Sequence, residues 1–163
     1  MFDFVFHLLD DLHPILNHFP IALLVISFLL VLFARKRESL RQVEWLAFAW
    51  GATMCLPAAI SGLVAHEAYE TSSIHMTIEQ HGLPANAGTL VMLGFAIWRY
   101  RSRRKDNDIA RRNWYPAFAV IGLLWIFFVG GTGGSLTYDH GVNVRGVNPL
   151  LSSDIESSSA DGH

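Results

Sequence analysis

Charge is scarce in this sequence. Charged residues make up 16% of its 163 residues, against about 25% in a typical soluble domain. That shortage excludes a surface wetted on every side and points to lipid as part of the solvent. Cysteine is nearly absent. Cys55 is the single one, which excludes an intramolecular disulfide and a thiolate metal cluster within one chain. In the middle of an apolar block it reads as a small core residue. Lys and Arg are missing before the first apolar stretch, and no small-residue cleavage pattern follows it. The first helix therefore reads as part of the mature chain and not as a cleaved signal peptide.

What is present is apolar sequence in blocks: 52% of the residues are hydrophobic. A bilayer core of about 30 Å needs roughly 20 apolar residues in a helix. Four blocks read as spans, at about 19–34, 43–65, 83–98 and 114–131. The third is the most polar at its start, with Pro84, Asn86 and Gly88. The expected fold is all-α, an integral membrane four-helix up-down bundle over residues 13–144. Pro57 predicts a bend in the second helix that turns His66 inward, and Gly130 to Gly134 predict the end of the fourth. Residues 1–12 alternate Phe and Leu with Asp3, Asp10 and Asp11, as an amphipathic segment on the outer surface or a frayed terminus. Residues 145–163, ending rich in Ser, Asp and Gly, are expected to form a flexible outer tail.

Basic residues orient the bundle. Residues 1–18 and 66–82 hold none. Arg35, Lys36, Arg37 and Arg41 lie in one connection, and seven more lie between Arg99 and Arg112, so eleven of the twelve fall in alternate loops. Those loops face the cytoplasm by the positive-inside rule, and Trp45, Trp98 and Trp114 then lie at the inner boundary. The expected location is the bacterial inner membrane, crossed several times, with both termini periplasmic. The positive-inside rule accounts for the basic loops, membrane lipids are the nearest partners, and no nucleic acid is expected.

The eight histidines are the main functional signal. His7, His13, His18, His66, His75, His81, His140 and His163 all lie in outer segments or at outer helix ends. Ionisable groups near a membrane are costly and tend to mark function, and neutral imidazole ligates metals and haem iron. His18 and His81 each stand seventeen residues from the inner boundary, at Arg35 and Trp98. At 1.5 Å per residue that is about 25 Å, so they match in height. In an up-down bundle the first and third helices are diagonal, as are the second and fourth. His18 with His81 is thus the first expected ligand pair, and His66 with His140 the second. Each of the four serves equally well as a structural hydrogen-bonding group. Glu67, Tyr138 and Asp139 are candidate supporting partners, because a carboxylate beside a histidine fixes its tautomer. No histidine spacing matches a specific metal motif, and no catalytic residue is assigned.

The segment from His13 to Leu23, reading His-Pro-Ile-Leu-Asn-His-Phe-Pro-Ile-Ala-Leu, resembles the opening signature of a bacterial four-helix membrane family of unknown function. Ser61-Gly62-Leu63 followed by His66 resembles the end of its second helix. Gly133 to Val142, reading Gly-Gly-Ser-Leu-Thr-Tyr-Asp-His-Gly-Val, resembles its closing signature. The resemblance implies periplasmic-side redox work, because members of that family often look like partners of c-type cytochrome modules.

Three functional readings stand at this level. The first is a membrane-embedded redox subunit holding haem b near the periplasmic face and passing electrons between quinol and a c-type cytochrome or larger complex. The second is a cofactor-free structural accessory subunit. The third is a periplasm-facing site for copper, zinc or iron. An electron-transfer or accessory subunit fits better than a stand-alone enzyme.

Overall fold

The computed structural model describes residues 2–34, 36–67, 69–142 and 144, with side chains from His13 onward. The tail 145–163, which includes His163, lies outside what is described, as do the side chains of residues 1–12, that of His7 among them. Four helices form: α1 Phe2–Ala34, α2 Glu38–Glu67, α3 His75–Arg104 and α4 Tyr115–Tyr138. A 3-10 turn, Ile109–Arg111, lies between α3 and α4. No strand occurs among the described residues. Helices adjacent in sequence pack together and α4 closes back on α1, which leaves α1 diagonal to α3.

Among the described residues, three helical stretches are long and apolar enough to cross a membrane: His13–Ala34, Glu38–Glu67 and Tyr115–Tyr138. The third helix, α3, is equally long at 30 residues. Polar residues near its start and a run of arginines at its end make it less apolar. Large apolar side chains face outward on all sides, including Phe33, Leu83, Leu90, Ile121, Leu124 and Phe127. Contiguous apolar exposure of that extent marks a surface made for a non-aqueous neighbour.

Two boundaries differ from the sequence reading. Residues 2–12 continue directly into α1, through Pro14 and Pro20. The 33 residues of α1 span about 50 Å at 1.5 Å each, so the helix overshoots a bilayer core. The glycines from Gly130 to Gly134 do not end α4, which runs on to Tyr138. In lipid no water competes for the peptide groups, so the helical bonds persist through residues that would break them in water.

The core forms where small residues let large ones in. Along α2, Gly51, Ala52, Cys55, Ala58, Ser61 and Ala65 are buried, and the main apolar cluster joins Leu24, Phe28 and Val31 of α1 to Phe48 of α2 and to Tyr115 and Ala119 of α4. A Cβ at Gly51 would lie 2.9 Å from Leu24 Cγ, so this glycine is what allows α1 to approach. A smaller cluster of Tyr69, Ile78 and Leu136, backed by Ile74 and Val142, sits at the opposite end.

The two ends differ in chemistry. One is built from the starts of α1 and α3 and the ends of α2 and α4 and carries histidines. The other is built from the remaining helix ends and carries the arginines.

Candidate functional site

At the histidine end, α2 finishes with His66 and Glu67, and α3 begins at His75. The connection is a series of tight turns. The N–H of Tyr69 donates to the carbonyl of His66 at 2.9 Å, that of Ser72 to Tyr69 at 3.0 Å, and that of His75 to Ser72 at 3.2 Å. Tyr69 is buried and, with Ile78, anchors the turns against Leu136 of α4. The chain therefore comes back on itself, and His66 stacks on His75 with ring centroids 5.4 Å apart and planes at 23°. Glu79 follows His75 by four residues and so shares its helix face.

The result is a three-donor group. One ligand atom each from His66, His75 and Glu79 lies within 4.8 Å of the other two. Tetrahedral zinc with bonds of about 2.0–2.2 Å sets its donors roughly 3.3 Å apart, so small side-chain rotations would close the group on an ion. Nε2 of His66 is buried and has no hydrogen-bond partner. A buried polar nitrogen normally has one, so His66 brings unused bonding capacity to the group.

Two more histidines face the bundle nearby. His13 Nδ1 lies 2.8 Å from Ser61 Oγ, and the Ser61 hydroxyl already donates to the carbonyl of Ala58 at 2.9 Å. His13 must then carry its proton on Nδ1 and donate, while Asn17 Nδ2 donates to its Nε2 at 3.0 Å. His81 repeats the pattern on the other diagonal helix. Its Nδ1 lies 3.0 Å from Thr132 Oγ1, and Thr132 donates to the carbonyl of Val129 at 3.0 Å, so His81 Nδ1–H is the donor. Glycines make room for both rings. A Cβ at Gly62 would stand 2.8 Å from His13 Cε1, and one at Gly133 would stand 3.0 Å from His81 Cε1.

A family model described as predicted membrane protein (DUF2231) matches residues 10–146. The chain belongs to this family. The match covers α1 from residue 10, the whole of α2, α3 and α4, and both the His13-Pro14 and Asp139-His140 segments. Its description names a membrane protein and assigns no activity. No curated protein and no solved structure matches the chain.

Within this member of the family, the histidines and partners singled out from sequence take different positions. His18 lies on the exposed face of α1 and donates from Nδ1 to the carbonyl of Pro14 at 2.5 Å. Five residues of α-helix turn about 140°, so His13 facing Ser61 carries His18 away from the bundle. His81 is half-buried and turned to α4. His66 sits in the three-donor group. His140 lies past the end of α4, half-buried and outside that group. Glu67 is exposed. The Asp139 carboxylate accepts from Ser135 at 2.5 Å, one turn back along its own helix. Tyr138 is 89% exposed.

The residues that sequence reasoning passed over are His75 and Glu79 as ligands. A signal existed: a histidine and a carboxylate four apart at the start of a helix, nine residues after another histidine. The spacings between histidines match no metal motif, and the carboxylates next to histidines in the sequence, Glu67 and Asp139, are not the one that joins the group.

The arginine end holds a second polar assembly. Arg99, only 1% exposed, forks onto Glu44: Nη2 meets Oε2, and Nη1 meets Oε1 at 2.6 Å. Arg99 also donates to Tyr115 Oη at 3.0 Å and to Asp108 Oδ1 at 3.1 Å. Ser27 donates to Glu44 Oε1 at 3.0 Å, and Arg103 donates to Asp108 Oδ2 at 2.9 Å. Trp45 and Tyr115 each present a ring 5.2 Å from the guanidinium carbon. Ser27, Glu44, Arg99 and Tyr115 come from α1, α2, α3 and α4, so one ionic network ties the bundle together. Burial works against the charge on Asp108, but Arg99, the Ala110 N–H and Arg103 outweigh it and hold its carboxyl below the ordinary carboxylate value. This end carries no orphaned buried side-chain atom among the described residues. Every donor and acceptor named here is engaged, which suits architecture better than ligand binding.

Proposed function

We propose that this chain is a metal-binding membrane protein that holds one divalent transition-metal ion between His66, His75 and Glu79. The observations that carry this reading are the convergence of one donor atom each from His66, His75 and Glu79 and the buried, unpartnered Nε2 on the first of them. Two imidazoles and one carboxylate are the donor set of open zinc sites and of ferrous sites with free positions. Three protein ligands leave coordination positions for water or an external ligand. The ion, when bound, would supply Lewis acidity or, if iron, redox chemistry at that open position. The chain's own contribution is to fix the donors: the turns at 69–74 hold His66 over His75, and α3 sets Glu79 one turn beyond.

The geometry supports a small ion better than a porphyrin. A bis-histidine haem built on His18 and His81 needs both rings turned inward. Instead, the inward-facing histidine of α1 is His13, which already bonds at both nitrogens. The electron-transfer reading, with haem b, quinol and a c-type cytochrome as partners, keeps one point in its favour: Nε2 of His81 retains its lone pair once Nδ1 donates to Thr132.

The segregation of basic residues supports a multi-pass protein of the bacterial inner membrane, with α3 as a fourth span, the arginine end in the cytoplasm and both termini periplasmic. The metal site would then face the periplasm. Reporter fusions after Ala34 and Lys105 should read as cytoplasmic and one after Asp154 as periplasmic. A cytoplasmic reading after Asp154 would overturn the orientation.

Metal analysis of the full chain, purified in detergent and equilibrated with zinc or ferrous iron, tests the site. About one ion per chain is expected, lost in His66→Ala and in His75→Ala and kept in His18→Ala. Retention in both of the first two variants would overturn the reading. Haem absorption bands that vanish in His81→Ala would replace it with the electron-transfer reading.

A further inference from the structure

The cations of the arginine end differ in their partners. Arg41, Arg99, Arg103 and Arg111 are each paired with Glu38, Glu44 or Asp108. Arg101 and Lys105 have no acidic partner among the described residues, and they line one cavity together. That cavity measures about 620 Å³ and lies where α3 ends and α4 begins. Its wall includes Arg101, Lys105 and Arg112 and no acidic side chain. Arg112 donates to Asn107, also in the wall, at 3.1 Å. On the apolar side, Trp98 and Trp114 stack with centroids 5.7 Å apart, each roughly half exposed, at 50% and 42%.

Trp98, Arg101 and Lys105 follow one another at three and four residues, so they share a face of α3. Indoles sit at the level of lipid headgroups, and basic pockets between membrane helices take anionic headgroups. The network around Arg99 engages Glu44 and Asp108, and Arg101 and Lys105, which have no acidic partner among the described residues, stand in one cavity with the indole pair.

We propose that this cavity binds one anionic phospholipid. Its phosphate would lie among Arg101, Lys105 and Arg112, and its glycerol and upper acyl carbons would lie along Trp98 and Trp114. A free phosphate would have no use for the indole pair, and a zwitterionic lipid would place its own cation against three others. The inference is independent of the metal site at the far end.

The test is a lipid titration of the delipidated full-length protein in detergent, read by native mass spectrometry, with phosphatidylglycerol, phosphatidylcholine and inorganic phosphate as probes. One phosphatidylglycerol per chain should bind at least about tenfold tighter than phosphatidylcholine. Arg101→Gln combined with Lys105→Gln should weaken it about thirtyfold, since each Lys or Arg near an anionic surface contributes a factor of roughly five. The single variant Lys105→Gln should weaken it about fivefold and serves if the double variant does not fold. Arg37→Gln combined with Arg104→Gln removes the same charge away from the cavity and should leave binding within a factor of about two. Equal affinity for the two lipids, an unchanged Lys105→Gln variant, or an equal loss in the Arg37/Arg104 control would each overturn the proposal. Displacement of the lipid by millimolar inorganic phosphate would overturn it in favour of a free-anion site.

Discussion

The two ends of the bundle hold comparable amounts of polar chemistry and arrange it in opposite ways. At the arginine end, Arg99, Glu44, Asp108, Tyr115 and Ser27 complete one another's hydrogen bonds. At the histidine end, His13 and His81 are held by Ser61, Asn17 and Thr132, but the group at His66, His75 and Glu79 has donor capacity left over. A buried polar set that is fully paired fixes helix positions. One that is not fully paired keeps an atom open to a partner outside the chain, which is the basis of the proposed metal site.

The comparison breaks most visibly if the paired end is cut. Arg99→Met leaves Glu44 and Asp108 buried without their shared cation, and removing one partner of a buried pair costs about 3–5 kcal/mol. Thermal melting in detergent should show a large loss of stability or failure to accumulate folded protein. A variant that melts like the original would mean the network contributes little.

Packing gives the next effect. A Cβ at Gly88 would lie 2.1 Å from Trp125 Cε2, and Trp125 is fixed by donating to the carbonyl of Pro84 at 3.0 Å. Overpacking of this kind costs about 1–3 kcal/mol, so Gly88→Val should lower the melting temperature while leaving both polar ends chemically intact.

A pH series reports on the arginine end. The Asp108 carboxyl is held below its ordinary value of 3.8 in the folded state. Its contribution to stability is therefore complete above that value and is lost as pH falls through the lower, folded one. Melting temperatures measured from neutral pH to below pH 3 should show a late, acid-side loss that disappears in Asp108→Asn. An identical acid profile in that variant would assign the loss to other groups.

The smallest effect expected is at His18. It is exposed and bonded only to its own helix, and surface changes of that sort stay within about 0.5 kcal/mol. His18→Ala should melt within a degree or two of the unchanged chain, whereas His13→Ala should be measurably less stable, because Ser61 and Asn17 would each lose a bond.

The fold was legible because it follows from quantities that add along the chain. Blocks of apolar sequence marked four helices in the right order, and Cys55, read as a small core residue, is buried. The ends of elements were less legible. Gly130 to Gly134 read as a stop because glycine breaks helices in water, and here α4 continues to Tyr138. Among site residues, His66 was visible as an outer histidine. Its partners depended on the turns at 69–74, whose geometry rests on Tyr69 packing against α4 and has no local pattern in the sequence. The choice between His13 and His18 turned on helix phase, which a count of residues to the membrane boundary does not contain. Arg99 and Asp108 were hidden for a related reason: a buried arginine and a loop arginine look alike until a carboxylate such as Glu44 is brought opposite.

The central claim is that the unpaired end is the functional one. The most direct measurement is X-ray absorption at the zinc edge on the full chain loaded with one equivalent of zinc, beside His66→Ala and His18→Ala. The account predicts a first shell of two imidazoles and oxygen donors at about 2.0–2.1 Å, unchanged by His18→Ala and lost with His66→Ala. A spectrum of fully hydrated zinc, or one that His66→Ala leaves untouched, would contradict it.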